Sequence, residues 1–159
     1  MPSKIAFLEP RAQVAALPWR QGDNEPEILL ITSRQSGRWL LPKGWPMKGK
    51  TPCGAAAQEA LEEAGIKGSI CEAPVGSYFY DKLEPDGRST PCSVEVYPLR
   101  VERELEDWPE AAVRTRSWVS VSRAATLVHE DGLSDFLRQL DPAVLAESVE
   151  RRKKRAKRK

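Results

Sequence analysis

The chain is poor in the side chains from which many sites are built. It has a single histidine, His129, and three cysteines, Cys53, Cys71 and Cys92, with no C-x-x-C pair among them. That spacing excludes a cysteine-built metal site, and an odd count argues against a disulfide framework. A reducing, cytoplasmic compartment is the expectation. His129 falls at a helix end and reads as structural rather than catalytic. No apolar stretch approaches the roughly 18 residues that a membrane-spanning helix needs. "MPSKIAFLEP" sets a Pro and a Glu beside a very short apolar run and does not read as a signal peptide. Internal repeats are absent, and low complexity is confined to the basic end.

What is present is enough for one well-buried core. At 159 residues and 40% hydrophobic content, one domain is expected rather than two. The formal charge of +2 hides an asymmetry, because Arg151, Arg152, Lys153, Lys154, Arg155, Lys157, Arg158 and Lys159 crowd the last nine positions. Without those eight cations the remainder carries −6. The expected organisation is a globular domain over residues 1–142, then a C-terminal helix over 143–159 running into a disordered basic tail. Such a tail is a candidate for weak contact with RNA or another anionic surface.

The hydrophobic pattern mixes two periods. "QVAALPW", "EILLITS", "WLLP", "KGSICEA", "GSYFYDKL", "CSVEVYPLRV" and "RSWVSV" read as strands, while "SRAATLV", "LSDFLRQL" and "PAVLAESVERRKK" have helical apolar spacing. "KGWPMKGK" reads as an irregular loop. The helix after it runs from Pro52 to Ala64, with Thr51 as N-cap, Pro52 at the first helical position and Gly65 as terminator. One helix between two groups of strands predicts an α/β sandwich on a mixed sheet.

That helix poses a problem. Cys53, Ala56, Ala57, Ala60, Leu61 and Ala64 form its apolar stripe, small enough for close approach to a sheet. Glu59, Glu62 and Glu63 crowd the other face in the last turns, where the helix dipole is negative and each acid costs a few tenths of about 1 kcal/mol. Their i,i+3 and i,i+4 spacing adds like-charge repulsion. Clustered carboxylates, with main-chain oxygens delivered by "LPKG", form the hard-oxygen environment that Mg²⁺ or Mn²⁺ prefers, and a bound cation would offset the cost. The bland reading of the same run is a solvated helix face.

The surroundings favour the metal reading. Gly44, Glu59, Glu62, Glu63, Gly65 and Ile66, with Ala60 at the first apolar place, match the order G-x5-E-x7-R-E-U-x-E-E-x-G-U, with U a bulky apolar residue. The chain thereby resembles the Nudix hydrolases. Lys50 stands where that pattern has Glu, and Gln58 where it has Arg. From about Arg11 to Leu140, "SRQSGRWLLPKG" and "LEDWPEAAVRTRSWVSVSRAATLV" are similar to the branch of diphosphoinositol polyphosphate phosphohydrolases and diadenosine polyphosphate hydrolases.

The resemblance implies a Nudix-type α/β/α sandwich and metal-dependent hydrolysis of a phosphoanhydride in a nucleoside-diphosphate-linked or polyphosphorylated substrate. It implies that Glu59 and Glu63 hold Mg²⁺ or Mn²⁺ with a carbonyl of Lys43 or Gly44, and that Glu62 holds a further ion or takes a proton from water. Arg11, Arg34, Arg38, Lys43 and Arg114 occur where the branch has phosphate-binding cations, and Arg grips phosphate in a bidentate way. The family Arg buttresses a carboxylate with a charge-assisted bond. Gln58 supplies a neutral one, so either the site is weakened or another cation, Lys50 or a nearby Arg, compensates. Trp39 and Trp118 read as core residues, and Trp45 as a residue able to stack on a base or cover the site. Two other readings stay open: a catalytically weak module that binds a nucleotide or RNA, and removal of pyrophosphate from RNA 5′ ends.

Overall fold

The first long strand shows how the layers are assigned. In β1 (Arg11–Gln21) successive side chains must point to opposite faces of a sheet, yet Gln13 to Trp19 are all buried. Both faces are therefore covered. Ala15, Leu17 and Trp19 join one apolar cluster and Val14 and Ala16 another. This strand lies at the centre of an eight-stranded mixed sheet in a computed structural model that describes residues 9–148.

The remaining elements follow as β2 (Pro26–Thr32), β3 (Trp39–Leu40), β4 (Lys43–Gly44), α1 (Pro52–Glu59), a π-helical turn (Ala60–Ala64), β5 (Ile66–Ile70), β6 (Gly76–Leu83), β7 (Ser89–Glu104), β8 (Arg116–Ser120), α2 (Val121–Leu127) and α3 (Asp131–Gln139). Strands β1 and β7 run parallel, with Arg11 opposite Cys92 and Trp19 opposite Arg100. All other named pairings are antiparallel, and β7 is long enough to pair with β6 along its first half and β5 along its second. The expected α/β/α sandwich on a mixed sheet is the observed architecture. Helix α1 packs on the Val14–Ala16 face, and α2 and α3 pack on the face of Leu17 and Trp19.

Two details place the site. Strands β1 and β2 pair only near their hairpin, from Trp19–Ile28 to Gln21–Pro26, and then diverge. The segment from Trp39 to Gly44 enters the fork: Leu40 pairs with Ile31, Lys43 pairs with Ala15, and the Pro42 carbonyl accepts from Ala16 N–H. Part of the stretch expected as a loop is thus pinned to the central strand. Helix α1 starts as expected, with Thr51 Oγ1 accepting from Gly54 N–H at 3.1 Å and Pro52 at its first position. Its buried stripe is Ala55, Ala56, Ala60 and Ala64, whereas Leu61 stays half-buried. The small side chains bring the helix close to the sheet and fix its far face.

Further corrections lie at the ends. The strand expected to continue through Cys71 to Ala73 stops at Ile70, and β7 extends on both sides of "CSVEVYPLRV". Residues 143–148 are helical, and Leu145 is fully buried in the α2/α3 core, so the core continues past residue 142. The basic tail lies outside the described residues. Trp39 and Trp118 are partly buried against the two cores, while the most enclosed tryptophan is Trp19. The three cysteines are unpaired. Among the described residues no helix is long and apolar enough to cross a membrane.

Candidate active site

The last turn of the glutamate helix is wider than an α-helix. Ala60–Ala64 closes as a π-turn, and Gly65 ends it in the left-handed region at φ 66°, ψ 36°. Such turns hydrogen-bond i to i+5 and concentrate at functional sites. Here the turn buries Glu63, which is 7% exposed, beside Glu59.

Glu59 and Glu63 form a carboxylate pair set into the sheet's fork. The Glu59 carboxylate lies against Gly44 so closely that a Cβ on residue 44 would meet its carboxyl carbon at 2.5 Å, so only glycine admits this approach. Glu63 Oε1 accepts from Lys43 N–H at 3.2 Å and has the Arg114 guanidinium 3.7 Å away. Burial, and then the hydrogen bond to Glu59, push the Glu63 carboxyl up to about 9. Burial also raises Glu59, while the bond from Glu63 partly offsets this. Both carboxyls of the pair are thus shifted toward the protonated form, chiefly by burial.

Glu62 does not join them. It is half-buried, and its Oε1 accepts from the Gln58 side-chain amide at 2.8 Å. Among the described residues no group of three Asp, Glu, His or Cys side chains converges on one point. Of the three expected site glutamates the structure brings Glu59 and Glu63 together, while Glu62 is bonded to Gln58. The pair still fits a divalent cation. Two desolvated carboxylates are short of positive charge, and Mg²⁺ characteristically uses one or two carboxylates and completes its octahedron with water and phosphate oxygens.

The cations expected around the site divide into three groups. Lys43 meets the pair through its backbone N–H, whereas its ammonium lies 3.6 Å from Glu130 Oε2 and 4.6 Å from the centre of the Tyr80 ring. Tyr80 in turn donates to Gln13 Oε1. Arg11 stacks on Trp45 at 4.2 Å, next to Gly44. Arg34 and Arg38 occupy the exposed loop before β3, Arg34 with its guanidinium 3.9 Å from Glu110. Arg114 differs from the phosphate ligand expected of it. Its side chain is 8% exposed and bound to Glu110 at 3.0 Å, to the Thr32 carbonyl at 3.0 Å and to Glu63. His129 is exposed.

The dipole problem of the helix has a second answer that the sequence did not reveal. Arg116 donates to the carbonyls of Ala64 at 2.8 Å and Gly65 at 3.3 Å, which sets a cation on the negative helix end. It stacks over Trp108 at 4.1 Å, and Trp108 Nε1 donates to the Glu63 carbonyl at 3.0 Å. These partners lie 45 to 52 residues from the groups they touch. No local spacing rule could have found them.

Glycine at 44 and 65, a carboxylate pair and a wide helix end in a forked mixed sheet define a Nudix fold, whose glutamate helix carries Gln58 where the family pattern has Arg. The NUDIX domain family matches residues 9–140, and the chain belongs to that family. It is 34% identical over 125 residues to Nudix hydrolase 12, mitochondrial, of Arabidopsis thaliana, covering 74% of this chain and 62% of that protein. It is 32% identical over 135 residues to human diphosphoinositol polyphosphate phosphohydrolase 3-alpha, covering 82% and 77%. The matched stretch spans 62–64% of the length of several Arabidopsis relatives. Among solved structures, the Ap4A hydrolase of C. elegans shares the fold with a TM-score of 0.58 at 21% identity, over 82% of this chain and 95% of that one. The NUDIX domain of Shewanella oneidensis NrtR, crystallised with ADP ribose, does so with a TM-score of 0.59 at 15% identity, over 92% and 91%.

Proposed function

We propose that the chain is a Mg²⁺- or Mn²⁺-dependent hydrolase of a phosphoanhydride bond in a polyphosphorylated or nucleoside-diphosphate-linked substrate, such as a diadenosine polyphosphate or an inositol pyrophosphate. The observation that carries this reading is the Glu59–Glu63 pair, desolvated and short of positive charge at the mouth of the Lys43–Gly44 turn. Similarity to a human diphosphoinositol polyphosphate phosphohydrolase supports the substrate class.

In this reading Glu59 and Glu63 hold the cation, together with the backbone of Gly44. When bound, such an ion supplies neutralisation of phosphate oxygens and a lowered pKa for the attacking water. In this reading Glu62, whose Oε1 accepts from the Gln58 amide, takes that water's proton. Lys43 and Arg11 bind substrate phosphates near the pair, and Arg34 and Arg38 supply charge from the loop. The protein acts in a reducing, cytoplasmic setting, which its free thiols support.

The test is turnover by the purified chain with Mg²⁺ or Mn²⁺ against diadenosine polyphosphates, inositol pyrophosphates, ADP-ribose, nucleoside triphosphates and 5′-triphosphorylated RNA. Hydrolysis that stops on chelation, returns with metal and is abolished in Glu59→Gln and Glu63→Gln supports the proposal. Turnover persisting in excess chelator refutes it. Tight binding with no hydrolysis of any substrate would make the chain a binding module, and RNA as the sole substrate would make it a 5′ pyrophosphohydrolase.

A further inference from the structure

Four successive carbonyls at the end of the glutamate helix are taken by one distant stretch of chain. Glu62 O accepts from Glu110 N–H at 3.1 Å, Glu63 O from Trp108 Nε1 at 3.0 Å, Ala64 O from Arg116 Nη1 at 2.8 Å and Gly65 O from Leu105 N–H at 2.8 Å. The same stretch reaches the Glu63 carboxylate through Arg114. Trp108 lies so close over Gly65 that a Cβ there would fall 2.5 Å from the indole, and Arg116 also donates to the Leu105 carbonyl at 2.7 Å, which ties the stretch to itself.

A helix leaves its last carbonyls without intrahelical partners, and ordinarily water or a capping turn serves them. Here protein donors replace water at each of the four. A π-turn is a marginal geometry on its own, so donors fixed from outside decide whether it persists. Trp108 is the donor on Glu63 itself. Its indole holds the main chain of the residue whose carboxylate Arg114 and Lys43 N–H hold at the other end.

We infer that Trp108 is a positioning residue of the hydrolytic centre, fixing Glu63 in register with Glu59 for cation binding. This rests on the reading that these two glutamates hold the divalent cation. Trp108 acts through the Glu63 main chain, whose carbonyl its indole N–H holds. Partners that orient metal-binding groups from behind typically cost about 10–100-fold in metal affinity or activity when removed.

The experiment compares the full chain with Trp108→Phe, which keeps a ring over Gly65 and deletes the N–H donor. A second variant carries 3-benzothienylalanine at position 108, which replaces only the N–H by sulfur and protects against a folding failure. Mn²⁺ binding is titrated by electron paramagnetic resonance, alongside kcat, KM and thermal melting. Expected in both variants are Mn²⁺ affinity and kcat each lower by about tenfold or more, with KM nearly unchanged. Mn²⁺ affinity and kcat equal to wild type, with only the melting temperature lowered, would reduce Trp108 to a structural brace and overturn the inference. Wild-type protein that binds no Mn²⁺, or binds it equally well as Glu63→Gln, would instead defeat the cation reading on which the inference rests.

Discussion

The side-chain amide of Gln58 donates to Glu62 Oε1 at 2.8 Å, one helical turn on, and leaves the neighbouring Glu63 to a guanidinium from another part of the chain. That guanidinium is Arg114, 3.7 Å from Glu63 and held by Glu110 and the Thr32 carbonyl. The expectation for position 58 is therefore compensation by Arg114 rather than by Lys50, whose side chain is exposed.

Gln58→Arg is therefore expected to slow the enzyme. A new cation beside Glu62 opposes a metal ion at the pair and breaks the neutral amide bond that now orients Glu62. A fall of about tenfold in kcat corresponds to roughly 1.4 kcal/mol in the transition state. Adding Lys50→Glu should not rescue it, because Lys50 has no part in the compensation. A faster single variant, or rescue by Lys50→Glu, would show that Arg114 does not serve this purpose.

Gly44→Ala probes the approach of Glu59 to the turn. Gly44 does not have a positive φ, so alanine is not strained in its backbone. Its Cβ would instead drive into the Glu59 carboxylate at 2.5 Å. The expected result is a protein that melts close to wild type, with Mn²⁺ affinity and kcat each lower by about tenfold. Unchanged Mn²⁺ binding would show that Glu59 can move away without loss.

The pH dependence of the metal-free fold follows from Glu63. Its carboxyl has an ordinary value of 4.5 and is raised to about 9 in the folded state by burial and then by Glu59. Between those values the folded chain holds a proton that the unfolded chain releases, so this group's contribution to stability is greatest below 4.5 and falls as pH rises toward 9. In chelator, the melting temperature should decline across this window, and less steeply for Glu63→Gln. With Mn²⁺ or Mg²⁺ added, the stabilisation should grow with pH, because the cation displaces the proton. Equal slopes for wild type and Glu63→Gln would remove Glu63 as the cause.

What could be read in the sequence was what is local. Thr51, Pro52 and Gly65 bound one helix by rules that span a few residues, and Gly44 to Ile66 lie within a single stretch, so the pair Glu59 and Glu63 was legible. The π-turn was not, because its terminating glycine looks the same as that of an α-helix. Lys43–Gly44 forms too short a strand to leave a period-2 trace, and its pairing with Ala15 is set by the fork between β1 and β2. Pro91 and Pro98 interrupt the pattern of β7, although that strand runs through both. Trp108, Arg114 and Arg116 act across 45 or more residues, through carbonyls and a buried carboxylate that no side-chain pattern announces.

Lys43 and Glu130 separate binding from folding. Their side chains are 11% and 19% exposed and 3.6 Å apart, and Glu130 Oε1 is buried without a hydrogen-bond partner. Removing one member of a buried pair strands the other charge, at about 3–5 kcal/mol. Lys43→Gln should accordingly lower the melting temperature and raise KM, and those two effects have different causes. Glu130→Gln restores neutrality without restoring a phosphate-binding cation. In the double variant Lys43→Gln/Glu130→Gln, the melting temperature should return most of the way to wild type while KM stays raised to the level of Lys43→Gln alone. If KM recovered together with stability, Lys43 would be only the counter-ion of Glu130, and the phosphate would have to be met by Arg11 and the cations of the loop before β3.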